Sequence, residues 1–155
     1  ENIAGSAYND TLTGDAGDNA LSGEKGNDRL SGGLGSDALT GGKGRDTMTG
    51  GGDADRFVYT AIDQSVVGSN RDVITDFAPS QDDLIDLSAI DAIPYGADNA
   101  FDFIGTNAFT ASGQVRYQVS NGQTIIQVNQ GGSLAADMEI ALSGTHVLSA
   151  GDFIL

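Results

Sequence analysis

The sequence predicts an all-β fold, a right-handed parallel β-roll made of nonapeptide repeats and followed by a mostly antiparallel β cap. Three observations carry this reading. A nine-residue unit recurs six times between Gly5 and Val58, and a glycine, an acidic and an apolar column stay in register throughout. The apolar residue of each unit stands alone between polar neighbours, which is the alternation of a very short strand. Beyond Val58 glycine thins out and short apolar, β-branched segments take over. A strict short period marks a coil of stacked units rather than one compact core.

The units are GSAYNDTLT from Gly5, GDAGDNALS from Gly14, GEKGNDRLS from Gly23, GGLGSDALT from Gly32, GGKGRDTMT from Gly41 and GGGDADRFV from Gly50. Their acidic column is Asp10, Asn19, Asp28, Asp37, Asp46 and Asp55; the apolar column is Leu12, Leu21, Leu30, Leu39, Met48 and Phe57. A second glycine stands two residues before the acid at Gly17, Gly26, Gly35 and Gly44. The opening glycine is expected to take positive φ in a tight turn, and to let carbonyl groups converge without a Cβ in the way.

If two units make one turn of the coil, residues eighteen apart become neighbours. Stacked strands lie about 4.8 Å apart, so Asp10, Asp28 and Asp46 form one carboxylate ladder and Asn19, Asp37 and Asp55 the other. Two bare carboxylates at that spacing repel by roughly 3 kcal/mol at an effective dielectric near 20. The ladders therefore call for a cation. Calcium accepts six to eight oxygen ligands from carboxylates and carbonyls, whereas zinc would want His or Cys, and the repeats have neither. Pairs eighteen apart give about four sites: Asp10 with Asp28, Asp28 with Asp46, Asn19 with Asp37, and Asp37 with Asp55. The Asn19 site has one charge fewer and should be weaker.

Composition narrows the function further. Net charge is −15, and all but three of the 22 acids are aspartate, a short carboxylate suited to turn backbone. Four divalent ions would bring the charge to about −7. That acidity excludes nucleic acid as a partner. With no cysteine there are no disulfides, and bound calcium supplies the cross-links instead. No apolar run is long enough to span a membrane, and no signal peptide opens the chain. Because the first residue is Glu1, the chain reads as a piece of a longer polypeptide, and a monomer.

Residues 1–58 are thus expected to form the roll and residues 59–155 the cap, in one continuous module. Strands are expected at Phe57 to Tyr59, Asp72 to Phe77, Leu84 to Leu87, Phe101 to Ile104, Gln114 to Val119, Thr124 to Val128, Met138 to Leu142 and Phe153 to Leu155. Val115, Tyr117 and Val119 read as a hairpin with Ile125, Gln127 and Asn129 across Asn121-Gly122. A cap is needed because an open roll presents an unpaired edge. Asp72, Asp76, Asp82, Asp83 and Asp86 are candidates for further ligands at the junction, or for turns.

The repeat resembles the Gly/Asp-rich nonapeptide of the RTX family of secreted bacterial proteins. The segment Asp72-Val73-Ile74-Thr75-Asp76-Phe77, with Leu84-Ile85-Asp86-Leu87-Ser88, is similar to the stretch after the roll in serralysin-type C-terminal domains and in R-modules of mannuronan (alginate) epimerases. Its spacing between Phe77 and Asp86 is one residue longer than usual. Asp152-Phe153-Ile154-Leu155 resembles the terminus used for type I secretion. The resemblance implies a calcium-folded extracellular module, exported without an N-terminal signal peptide, beside a separate N-terminal catalytic module. It also implies alginate as a partner. The alternatives are a C-terminal domain of a secreted metalloprotease or lipase, or an adhesin repeat.

No active site is legible. His146 is the only histidine and sits in a turn, leaving neither nucleophile nor acid–base pair. Lys25, Arg29, Lys43 and Arg45 fall in the third and fifth units, on one edge of the coil, where an anionic polysaccharide could meet them. They would equally offset the neighbouring acids.

Overall fold

A computed structural model describes residues 1–94 and 98–155. Its strands are β1 (Asn2–Ala4), β2 (Thr11–Thr13), β3 (Ala20–Ser22), β4 (Arg29–Gly33), β5 (Ala38–Thr40), β6 (Thr47–Gly51) and β7 (Arg56–Val58) in the repeats. After them come β8 (Asp72–Ile74), β9 (Leu84–Asp86), β10 (Asp102–Phe103), β11 (Gln114–Ser120), β12 (Gln123–Asn129), β13 (Met138–Ser143) and β14 (Phe153–Ile154). Each of the eight segments expected from Phe57 onward contains a strand. Among the described residues no helix is long and apolar enough to cross a membrane.

Two units do make one turn. Leu12 pairs with Leu30 and Leu30 with Met48 along one edge, while Leu21 pairs with Leu39 and Leu39 with Phe57 along the other, all parallel. The single apolar residue of each unit points between the two sheets, and Leu30, Leu39, Met48 and Phe57 are wholly buried. A half-turn precedes the first unit, for Ile3 pairs with Leu21. Ile3 and Leu12 are only partly buried, because nothing stacks on their outer side.

Parallel pairing continues past Val58. Met48 pairs with Ile74 and Phe57 with Ile85, so β8 and β9 add another turn although the spacing is no longer eighteen. The extra residues loop out and leave the apolar stack intact. The six-stranded sheet runs β1-β3-β5-β7-β9-β14, and the eight-stranded one β10-β11-β12-β13-β8-β6-β4-β2. The antiparallel part of the cap is the meander β11-β12-β13. It joins the roll by a parallel pairing of β13 with β8, while β14 adds to β9 in parallel.

The expected hairpin forms at Asn121-Gly122, whose φ values of 52° and 76° belong to a two-residue turn of the primed type. Its facing residues need correction. Ser120 pairs with Gln123, which places Tyr117 opposite Ile126 and Val115 opposite Val128. Ile125, Gln127 and Asn129 therefore lie on the other face, opposite Gln118, Arg116 and Gln114. A two-residue turn pairs odd-numbered residues with even-numbered ones, and a one-residue shift exchanges the faces of a strand. Both faces of β12 are covered, so alternation was no guide to register.

Since the stack is one side chain thick, each rung should matter. Leu39→Ala should cost about 2–5 kcal/mol in denaturant unfolding, as buried Leu truncations do. Val147→Ala, at a side chain 90% exposed, should stay within about 0.5 kcal/mol. Equal effects would mean that the column is not the core.

Candidate metal centre

Stacking brings the acids into the two expected ladders, and the ladders have a detailed chemistry. In every step the later acid accepts the backbone N–H of the earlier one through Oδ1. Asp28 takes Asp10 N–H at 2.8 Å, Asp46 takes Asp28 at 2.7 Å, Asp37 takes Asn19 at 2.8 Å, and Asp55 takes Asp37 at 3.0 Å. One oxygen of each carboxylate is thus fixed by the neighbouring turn. The other, Oδ2 of Asp28, Asp37, Asp46 and Asp55, is buried and has no hydrogen-bond partner.

The opening glycines face that free oxygen. They do not adopt positive φ, contrary to expectation; Gly26, Gly35 and Gly44 do, together with the second-position residues Glu24, Gly33, Gly42 and Gly51. What forbids a side chain at the opening position is space. A Cβ on Gly23, Gly32, Gly41 or Gly50 would collide with Oδ2 of Asp28, Asp37, Asp46 or Asp55 in the same unit. On Gly23 and Gly32 it would also lie 2.5 and 2.6 Å from the carbonyl oxygens of Gly41 and Gly50 in the next turn. Gly5 and Gly14 are walled likewise by Asp10 with Gly23, and by Asn19 with Gly32. At Gly5, Gly23 and Gly32 a carboxylate oxygen and a carbonyl oxygen converge on the glycine; at Gly41 and Gly50 it is the carboxylate, and at Gly14 the Asn19 amide with a carbonyl oxygen.

An oxygen-only lining with one free carboxylate oxygen suits a hard cation of the calcium type. Among the described residues no three Asp, Glu, His or Cys side chains converge, so further ligands would come from backbone carbonyls. Asn19 departs from the pattern. Its side-chain amide donates to Asp37 Oδ1 at 2.9 Å and to the Gly17 carbonyl, offsetting part of the charge a cation would otherwise meet.

Burial pushes several of these carboxyls up, Asp28 among them, with Asp46 raised to about 6 and Asp55 to about 7, against the opposing N–H bonds from Asp10, Asp28 and Asp37. Neighbouring carboxylates add to the rise.

Of the junction acids, two extend the ladders. Asp72 Oδ1 accepts Asp46 N–H at 2.8 Å and Asp83 Oδ1 accepts Asp55 N–H at 3.0 Å. Burial raises Asp72 to about 8 and raises Asp83 as well. The signal was in the sequence, since Ile74 and Ile85 follow these acids at the two-residue offset of the repeat. Asp76 takes the N–H groups of Gly50 and Gly51 at 3.0 and 2.9 Å. Asp86 binds Ser88 and lies 3.5 Å from Arg56, and exposed Asp82 shapes a turn at φ 66°. A further polar ladder escaped notice: Asn9 Oδ1 accepts Asn27 N–H at 2.8 Å, and Asn27 Oδ1 accepts Arg45 N–H at 2.9 Å. Asn9 and Asn27 are eighteen residues apart, which was the available signal.

Lys25 and Lys43 bridge each other's backbone along one edge, and Lys43 Nζ lies 2.5 Å from Asp63. Arg45 lines a surface depression of about 380 Å³ with Asn27, Asp63, Val66 and Asn70. Arg29 is exposed on β4. His146 Nε2 lies 2.9 Å from the Ser143 carbonyl, as a turn histidine should.

The class these features define is the parallel β-roll module of nonapeptide repeats. The chain belongs to the family described as Peptidase M10 serralysin C terminal, which it matches over residues 7–155. Its fold is that of two solution structures from Azotobacter vinelandii mannuronan C5-epimerase. The AlgE6R2 subunit is 31% identical with a TM-score of 0.74, covering 100% of this chain and 92% of its own. The AlgE6R3 subunit is 31% identical with a TM-score of 0.69, covering 97% and 80% respectively. No curated protein sequence is significantly similar.

The raised carboxyls fix a pH dependence. A folded state that holds its protons more tightly than the unfolded chain is favoured at low pH and loses that advantage as pH rises through the folded values, here about 6 to 8. In chelator the β signal and melting temperature should therefore be greater near pH 5 than near pH 8. In calcium the order should reverse, because ligands must be deprotonated. Melting that ignores pH in chelator would contradict the buried ladders.

Proposed function

We propose that this chain is a non-catalytic, calcium-binding R-module of a secreted bacterial alginate-modifying enzyme, a mannuronan epimerase. The observation carrying the calcium role is the row of buried Oδ2 atoms without partners on Asp28, Asp37, Asp46 and Asp55, each set against an opening glycine where a Cβ would collide with it. Four sites follow, at Asp10 with Asp28, Asp28 with Asp46, Asn19 with Asp37, and Asp37 with Asp55. In each, a cation would neutralise the free carboxylate oxygen and link two turns. Catalysis belongs to another module of the parent chain.

Folding is tied to export in this reading. Extracellular calcium modules bind at about 10⁻⁴ to 10⁻³ M, so the chain stays open inside the cell and coils after release through a type I pathway. In the folded sheet Phe153 is 7% exposed and β14 pairs with β9, so this strand docks only once the chain has coiled.

The polysaccharide-facing edge is the one bearing Lys25, Arg29, Lys43 and Arg45. Lys43 is already held by Asp63, whereas among the described residues Arg45 forms no ion pair. A second reading, the C-terminal domain of a secreted metalloprotease or lipase, is favoured by the family match.

Alginate oligomers titrated into the calcium form should bind, Arg45→Ala should weaken binding several-fold, and Lys43→Ala should have a smaller effect. Absence of binding at low salt would remove the polysaccharide role and favour the second reading.

A further inference from the structure

Two arginines stand on consecutive rungs of the first edge. In the column just before the ladder acids, Asn9, Asn27 and Arg45 precede Asp10, Asp28 and Asp46, and Arg71 precedes Asp72. Asn9 and Asn27 each commit a side-chain oxygen to the N–H of the next residue in this column, at 2.8 and 2.9 Å. Arginine has no acceptor with which to continue. Where the repeats end, the column therefore changes from amides to guanidinium groups, on rungs about 4.8 Å apart.

Arg45 and Arg71 line one depression of about 160 Å³ together with Ser69, Gln123, Val73 and Ala141. Arg71 is held in place from behind. Its Nε lies 3.2 Å from Glu139 Oε2, and buried Glu139 is fully used, accepting from Gln127 at 2.7 Å and from Gly68 N–H at 3.0 Å. The two outer nitrogens of Arg71 and the whole guanidinium of Arg45 have no ion-pair or hydrogen-bond partner among the described residues. The side chains of Ser69 and Gln123 have none either. Other acids nearby are committed: Asp63 to Lys43 at 2.5 Å, and Asp72, in the field of Arg45, to Asp46 N–H at 2.8 Å.

Unused donors thus converge over a floor of Val73 and Ala141, which is the lining of an anion seat. A guanidinium fork takes two oxygens, so two forks ask for more oxygens than a carboxylate has. We propose that Arg45 and Arg71, with Ser69 and Gln123, seat one tetrahedral oxyanion of the sulfate class, as the free ion or as an ester group on a polymer. This goes beyond the polysaccharide edge proposed above, which was argued for carboxylates and shares only Arg45 with the seat.

Calorimetric titration of sodium sulfate into the calcium form at low salt tests the seat. The parent chain should bind one sulfate, and Arg45→Gln should weaken binding about tenfold, as loss of a charge-assisted hydrogen-bond pair does. Arg29→Gln removes the same charge from the same edge but lies outside the depression, and should change affinity less than twofold. If Arg71→Gln folds by circular dichroism it should match Arg45→Gln; if it does not fold, Arg45→Gln decides. Tighter binding of a sulfated oligosaccharide, with the same dependence on Arg45, would mark the ester as the source, and equal affinity the free ion. Equal losses in Arg45→Gln and Arg29→Gln would reduce the effect to general charge and overturn the seat. Absence of sulfate binding would overturn it too, and alginate binding in that same preparation would leave the polysaccharide edge standing.

Discussion

The structure depends on how each ladder carboxylate divides its two oxygens. Oδ1 is committed to the N–H of the preceding turn, which sets the stacking of the coil. Oδ2 is left buried and without a hydrogen-bond partner against the opening glycine. A buried carboxylate with one free oxygen is costly unless something positive reaches it, and the cost recurs at every turn. The strands of the repeats are mostly three residues long and turn one apolar side chain each into the stack. Such a thin stack has little surplus to set against repeated buried charge, so on the proposed calcium reading the coil and its cations form together.

The cap keeps these rungs in step after the repeat ends. Residues between β7 and β8, and between β8 and β9, are accommodated as loops while Asp72 and Asp83 still meet Asp46 and Asp55. The loop before β8 is anchored by polar contacts rather than by period. Ser65 accepts Asp72 N–H at 2.8 Å and donates to the Glu139 carbonyl. Glu139 in turn holds Arg71 at 3.2 Å and Gln127 at 2.7 Å. The last rung of the first ladder is therefore tied to the meander, and the wide core of the cap supports the narrow one of the roll.

Much of this was legible in the sequence because a nine-residue period leaves few choices. Leu30 had to meet Leu12 and Met48, and Asp28 had to meet Asp10 and Asp46. Of the two reasons expected for the opening glycines, positive φ fails and the need to keep a Cβ out of the way holds. Gly32 and Gly50 are required by the aspartates of their own units rather than by φ, which a pattern of residue types cannot distinguish. Asp72 and Asp83 were blurred with Asp76, Asp82 and Asp86 because the insertions hide the eighteen-residue offset; only Ile74 and Ile85 keep it visible. The face of β12 was illegible for a different reason. Ile125 and Ile126 are both buried, and a strand covered on both sides carries no alternation to read.

The most direct test is calcium-dependent folding of the purified chain at neutral pH. Followed by far-ultraviolet circular dichroism and thermal melting, it should lack a cooperative transition in excess chelator and gain β structure with a sharp melt when calcium is added. A chain that melts as sharply in chelator as in calcium would show that the buried aspartates need no cation, and the account would be wrong.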